Sequence, residues 1–268
     1  MLPWDKKFIE NHKKIEPKTI LCASEGLDVT KISRKIVRKL ISSFDEKDYE
    51  TLELESIASP NFYFLKKQED KNIIPISDLR EPKDFLNLST GRNRLLFILG
   101  GEHIRLDGYN SLLKVSEEAS ESTFIFISTN NINSIPPTIL SRFHVEKVPK
   151  PPKEEVHNYI VQKTESLSKN ALNFLSENPL ELQKSIDDAS QKFNRFDEQI
   201  RNKNLISKDK DEIKSFVDYL VFNRKKEILT DAKKGLQTLN ELIDIKKSLL
   251  APNNLSIDVI KLRINSCL

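Results

Sequence analysis

Cysteine and histidine are scarce in this chain. It has two cysteines, Cys22 and Cys267, near opposite ends, and four histidines in 268 residues. So wide a separation argues against a disulfide framework or a thiolate cluster. No cysteine or histidine falls between Cys22 and His103, so that span cannot build a zinc module. His103 stands without a neighbouring ligand residue and reads as a solvent-facing loop histidine. No metal and no other cofactor is expected. Long apolar runs are missing too, so no membrane span is expected. The opening residues, Met1-Leu2-Pro3-Trp4-Asp5-Lys6-Lys7, lack the apolar stretch of a secretory signal. A cytoplasmic protein is the expectation. Charge of one sign is not in excess: 43 basic against 40 acidic side chains leave a formal net charge of +3. That permits an acidic partner without demanding nucleic acid. No basic stripe with interleaved aromatics is present, as a stand-alone single-strand binder would need.

What is present is a soluble globular composition, 38% hydrophobic and 31% charged, long enough for two domains or three small ones. Residues 94–149 carry the clearest pattern. Residues 94–99 are a short apolar run suited to a strand buried on both faces. Residues 111–118 read as a helix with Leu112, Leu113 and Val115 turned inward. Residues 123–128 are β-branched and aromatic, a second buried strand. Pro136-Pro137 opens a short helix, and residues 144–148 form a third strand. Strands alternating with helices imply right-handed crossovers and a parallel sheet.

Upstream, Trp4 reads as a packing anchor before an amphipathic segment at residues 6–14. Residues 19–23 suit a strand, residues 24–30 a turn, and residues 31–42 a basic helix. A further strand is expected at 49–54. Pro149-Lys150-Pro151-Pro152 reads as a linker. Beyond it, helices are expected at 153–167, 170–177, 211–229, 232–250 and 257–267, the last opened by Asn254 or Ser256.

Several separated pieces agree with one family. They are Asn110-Ser111-Leu112-Leu113-Lys114 followed by Glu117-Glu118, then Phe124-Ile125-Phe126-Ile127-Ser128-Thr129-Asn130, then Ile135-Pro136 and Leu140-Ser141-Arg142-Phe143. In order and spacing they resemble bacterial clamp-loader subunits, most closely the delta-prime subunits of DNA polymerase III. This resemblance implies a strand at 60–65, and that residues 73–80 lead into a helix capped by Ser77 or Asp78. The departures are Phe143, where the family has cysteine, and Ser59-Pro60-Asn61, where it has His-Pro-Asp. The resemblance implies an α/β fold: an AAA+ RecA-like parallel sheet domain over residues 1–149, a small helical lid over 150–204 and an all-α collar over 205–268.

The resemblance also places the functional positions. The phosphate loop of an active relative would lie at Glu25, Gly26, Asp28, Val29 and Thr30. Such a loop needs glycines for close backbone approach, a lysine for phosphate and a hydroxyl for magnesium. Of these only Gly26 and Thr30 remain, with Val29 at or beside the lysine position and Asp28 at a glycine position, where a carboxylate repels phosphate. The strand-end acids of an ATPase would fall on about Leu99 and Gly100, and Glu102 comes too late. Thr129 and Asn130 match a phosphate-sensing strand end, and without nucleotide would satisfy local backbone groups. Arg142, with Ser141 before it, matches the arginine that reaches a neighbouring subunit's ATP.

The implied function is a non-hydrolysing stator subunit of the clamp loader, without catalytic activity of its own. Its partners would be the gamma/tau ATPase subunits and the delta subunit, with the sliding clamp and primed DNA reached through the complex. The competing readings are an AAA+ ATPase, or a DNA-binding protein, with a degenerate phosphate loop.

Overall fold

The structure is a computed structural model that describes residues 1–12, 15–24, 27–87, 92–118, 122–183, 185–228, 232–250 and 256–268. It contains two compact units, Met1–Pro151 and Pro152–Leu268.

The first unit is built on a parallel sheet. In chain order it runs α1 (Pro3–Asn11), β1 (Lys18–Ala23), α2 (Thr30–Asp45), β2 (Phe62–Lys66), α3 (Arg80–Asn87), β3 (Arg94–Leu99), α4 (Leu106–Glu118), β4 (Thr123–Thr129), α5 (Pro137–Leu140) and β5 (His144–Val148). The strand order is β2-β3-β4-β1-β5, and every pairing is parallel. The middles of the central strands are apolar because both faces are covered, with buried polar residues such as Arg94, Thr123 and Thr129 at their ends. Along β3, Leu95 and Phe97 pack on one face with Ile32, Ile36 and Ile41 of α2. Leu96 and Ile98 pack on the other with Leu112 of α4 and Ile139 of α5. Trp4 is buried, as an anchor should be.

The sequence reading and the structure differ at several elements. Residues 49–54 form no strand: they make a turn leading into a 3-10 helix at Leu54–Ser56. Tyr49 and Leu54 are buried against Ile32, Ile36 and Ile41 of α2, and Glu50 and Glu53 pair with Lys35 at 2.8 Å and Arg38 at 3.4 Å on the same helix. Neither Ser77 nor Asp78 caps α3; both lie within a 3-10 turn, Ile76–Leu79, that runs directly into it. The helix α4 starts five residues before the expected 111. Leu112 is buried and Leu113 half-buried; the side chain of Val115 lies outside those described. His103 is half-buried rather than solvent-facing.

The second unit is helical: α6 (Lys153–Lys163), α7 (Lys169–Glu177), α8 (Ile186–Arg201), α9 (Lys210–Glu227), α10 (Ala232–Leu250) and α11 (Ile257–Cys267). The sequence reading had α6 running on to 167 and did not single out α8. Ser256 caps α11 by accepting from the Val259 N–H, while Asn254 lies outside the described residues. Of the spans expected as lid (150–204) and collar (205–268), all but residues 150 and 151 share this unit. An aromatic cluster joins them: Tyr219 of α9 meets Phe174 of α7 and Phe193 of α8 edge to face, with ring centroids 5.2 Å apart in each case. Among the described residues no helix is long and apolar enough to cross a membrane.

Candidate functional site

In an open parallel sheet, ligands bind outside the carboxyl ends of the strands where the chain changes direction across the sheet. Here that place is the end of β1. From β1 the chain crosses over β4 and β3 to reach β2, whereas from β4 it crosses β1 to reach β5. The register sets Cys22 beside Thr129, and Leu99 beside Ser128. The ends of β1, β3 and β4 therefore meet the start of α2.

A cleft of about 210 Å³ lies there, lined among others by Val29, Thr30, Lys67, Gly100, Glu102 and Asn130. Sites for drug-sized ligands usually span roughly 300–1,000 Å³, so this one is small. Asn130, Thr30 and Val29 in its lining are tied together through Asp28, whereas the buried Ser128 hydroxyl, also in the lining, has no hydrogen-bond partner among the described residues. A single oxygen of Asp28 accepts from the Thr30 N–H at 2.9 Å, the Thr30 hydroxyl at 2.6 Å and the Asn130 amide at 3.0 Å. The other end of that amide, Oδ1, accepts from the Val29 N–H at 3.0 Å. A helix N-terminus presents unpaired N–H groups and a positive dipole end that would draw a phosphate. In this chain an internal carboxylate sits at that position. The Val29 side chain is 1% exposed and packs into the core with Ile32 and Ile36. Glu25 and Gly26 lie outside the described residues.

The strand end of β3 has a backbone reason for lacking acids. Gly100 takes φ +85°, and a Cβ there would stand 2.8 Å from the His103 ring. A side chain at this position would be strained. Glu102, set aside on sequence spacing, does reach the cleft: a 3-10 turn, Gly101–His103, carries it there, and it accepts from the Thr129 hydroxyl at 2.7 Å. Thr129 and Asn130 are thus not confined to local backbone partners. They tie β4 to Glu102 and to the start of α2.

Arg142 lies apart from that network in sequence and in bonding. Pro136 and Pro137 open the single turn of α5, which ends at Ser141. Phe143, at the family's cysteine position, is 5% exposed and packs in the core under α4. With Phe143 anchored inward, Arg142 and Ser141 are exposed. The Arg142 Nε donates to Glu117 at 2.9 Å and its Nη1 to the Thr138 carbonyl at 3.1 Å. Both ends of the ion pair are about half exposed, at 46% and 54%. Ser141 donates to the Thr138 carbonyl at 3.1 Å. Sequence reasoning noted Glu117 as a motif residue but not as the partner of Arg142. Among the described residues no group of three or more His, Cys, Asp or Glu side chains could hold a metal ion.

The chain matches the family described as "DNA polymerase III, delta subunit" over residues 7–152, more than half its length. It belongs to that family. It is a subunit of the DNA polymerase III clamp-loader type. The matched span covers every strand of the sheet. No curated protein matches the sequence. Among solved structures, a DNA polymerase III gamma subunit-related protein from Thermotoga maritima is similar at a TM-score of 0.54 and 16% identity, over 98% of this chain and 97% of that one. At that identity the likeness speaks for the fold alone: a parallel α/β sheet unit followed by a helical region. A chain of the HORMA:CdnC:Trip13 complex of E. coli MS115-1 matches at a TM-score of 0.36 and 12% identity, over 65% of this chain and 62% of that one.

Proposed function

We propose that this chain is the non-hydrolysing, delta-prime-like subunit of a clamp loader. It braces the ring beside gamma/tau ATPase and delta subunits, and takes part in loading the sliding clamp onto primed DNA. Family membership supports the assembly, and one observation carries the lack of hydrolysis. Asp28 places its carboxylate against the Thr30 N–H, the Thr30 hydroxyl and the Asn130 amide. A phosphate arriving at α2 would have to displace a negative charge already satisfied by three donors. Hydrogen bonds to a charged group contribute about 1.5–3 kcal/mol each, so the displacement is costly.

Arg142 is proposed as the residue offered to the nucleotide of a neighbouring subunit, with Ser141 ending the helical turn that presents it. Its pairing with Glu117 is compatible with that role. Exposed ion pairs contribute a median of about 0–1 kcal/mol, so redirecting the guanidinium to a phosphate costs little. Residues 150–204 and 205–268 are proposed to act as lid and collar, all but residues 150 and 151 sharing one compact unit, the collar holding the ring.

The test is calorimetric titration of the isolated chain with ATP and magnesium. No heat of binding is expected up to millimolar nucleotide. Micromolar binding would overturn the reading in favour of an active AAA+ ATPase.

A further inference from the structure

β2 is the outermost strand of the sheet and is paired on one side only, with β3. The Leu95 N–H donates to the Asn61 carbonyl at 2.8 Å, and Tyr63 stands opposite Leu96. In a parallel ladder this turns the backbone of Tyr63 and Leu65 toward β3 and that of Phe62, Phe64 and Lys66 outward. The Phe64 N–H and C=O have no partner among the described residues. Such edges are commonly blunted by proline, bulges or free lysines. β2 contains no proline, and its one lysine, Lys66, is tied to Glu55 at 2.7 Å.

An open groove of about 560 Å³ follows this edge. Leu54 and Ile57, which pack with Phe62 and Phe64 on the α2 face of the sheet, form one wall. Asp78 and Glu81, carried by the turn before α3 and by α3 itself, form the other. The two walls differ in charge. Glu55 is already neutralised by Arg34 and Lys66. Asp78 and Glu81 have no cationic partner among the described residues: Asp78 accepts from Ser77 and Gln68, and Glu81 from the Tyr63 hydroxyl at 2.7 Å. Burial, together with Glu81, pushes the Tyr63 hydroxyl up to about 12, so it remains a donor to that carboxylate at neutral pH.

We propose that the free edge of β2 is a docking site for an extended segment of a partner protein, which adds as a further strand. Side chains alternate across a strand. The segment therefore carries basic residues at alternate positions, over Asp78 and Glu81, and apolar residues between them, over the half-buried Ile57 and Phe64. A second copy of this chain is disfavoured as the occupant, because antiparallel pairing of two β2 edges would set the acidic wall of one against that of the other.

The probe is a short end-blocked peptide alternating valine and lysine, added to the full chain. Amide hydrogen exchange at Phe64 and Lys66 should slow at least about tenfold at saturation, since these N–H groups gain partners. N-methylating the peptide on alternate residues should abolish binding in one of the two phases and leave it within about threefold in the other, because only one phase faces β2. Asp78→Asn combined with Glu81→Gln, which keeps an acceptor for Tyr63, should weaken binding about tenfold, and a valine–glutamate peptide should not bind. Unchanged exchange at Phe64 would overturn the proposal. So would equal effects of both methylation phases, indifference to the double substitution, or concentration-dependent dimerisation through β2.

Discussion

At the residue scale, the account turns on side chains whose partners a linear reading cannot supply. Asp28 was legible as an unsuitable loop residue. Its bond to Asn130 was not, because the two are 102 residues apart and meet only through the pairing of β1 with β4. Phe143 shows the same limit, since its departure from the family becomes intelligible only when it is seen filling the core beneath α4. Glu55 yields a pH prediction. It accepts from Arg34 at 2.9 and 3.1 Å and from Lys66 at 2.7 Å. The Arg34 guanidinium, opposed by partial burial and aided by Lys66, holds its carboxyl well below the usual carboxylate range. A carboxyl depressed in the folded state contributes stability above its unfolded pKa, about 4.3, and that contribution is lost as pH falls. In denaturant titrations Glu55→Gln should therefore be less stable than the parent at pH 7, with the gap closing in acid. A gap that is constant with pH would contradict the assignment.

At the element scale, the elements best read from sequence were those with one dominant signal. β5 was expected at 144–148 and lies at His144–Val148, and α10 was expected at 232–250 and lies at Ala232–Leu250. The failures lie where partners outside the segment decide. Residues 49–54 look strand-like in composition but are held on α2 by the burial of Tyr49 and Leu54, with ion pairs from Glu50 and Glu53 at the surface. The turn after β3 is another such place, and it makes the reading testable. Gly100→Ala places a Cβ at φ +85° and 2.8 Å from the His103 ring. We expect a loss of at least about 1 kcal/mol in unfolding free energy. Gly100→Ala with His103→Ala should recover only the steric part, because the backbone strain stays. Full recovery in the double variant would show that contact, not conformation, demands glycine there.

At the scale of the whole molecule, the two compact units set what can be separated. Met1–Pro151 contains the complete sheet and both of its covering layers. Expressed alone, it should unfold cooperatively with native-like circular dichroism. A cut at residue 210 should fail differently. It would leave Phe174 and Phe193 without Tyr219 and without Phe216, which packs on Phe196, and losing one buried aromatic side chain costs about 3–5 kcal/mol. Fragment 1–210 should therefore show loss of fixed packing in its helical part, and cooperative unfolding of that part would contradict the shared core. The spans expected as lid and collar come from the family pattern, but the core that residues 152–204 and 205–268 share does not, since it is made by aromatics from three helices.

The proposed role of the chain rests on Arg142 acting across a subunit boundary, and one measurement addresses it directly. ATP hydrolysis by the assembled clamp loader, stimulated by clamp and primed DNA, is compared for complexes that differ only in carrying Arg142→Ala in this chain. The variant should fold normally, because its exposed pair with Glu117 contributes at most about 1 kcal/mol. Hydrolysis should fall by the share of the site this subunit faces. Such arginines contribute about 10³–10⁵ in rate at their own site, and the remaining motor sites mask most of that. Arg142→Lys should not restore the rate, because an ammonium lacks the planar fork that holds phosphate oxygens in pairs. A rate unchanged by Arg142→Ala in a correctly assembled loader would contradict the account, leaving Arg142 as the local partner of Glu117 and the subunit as a structural brace alone.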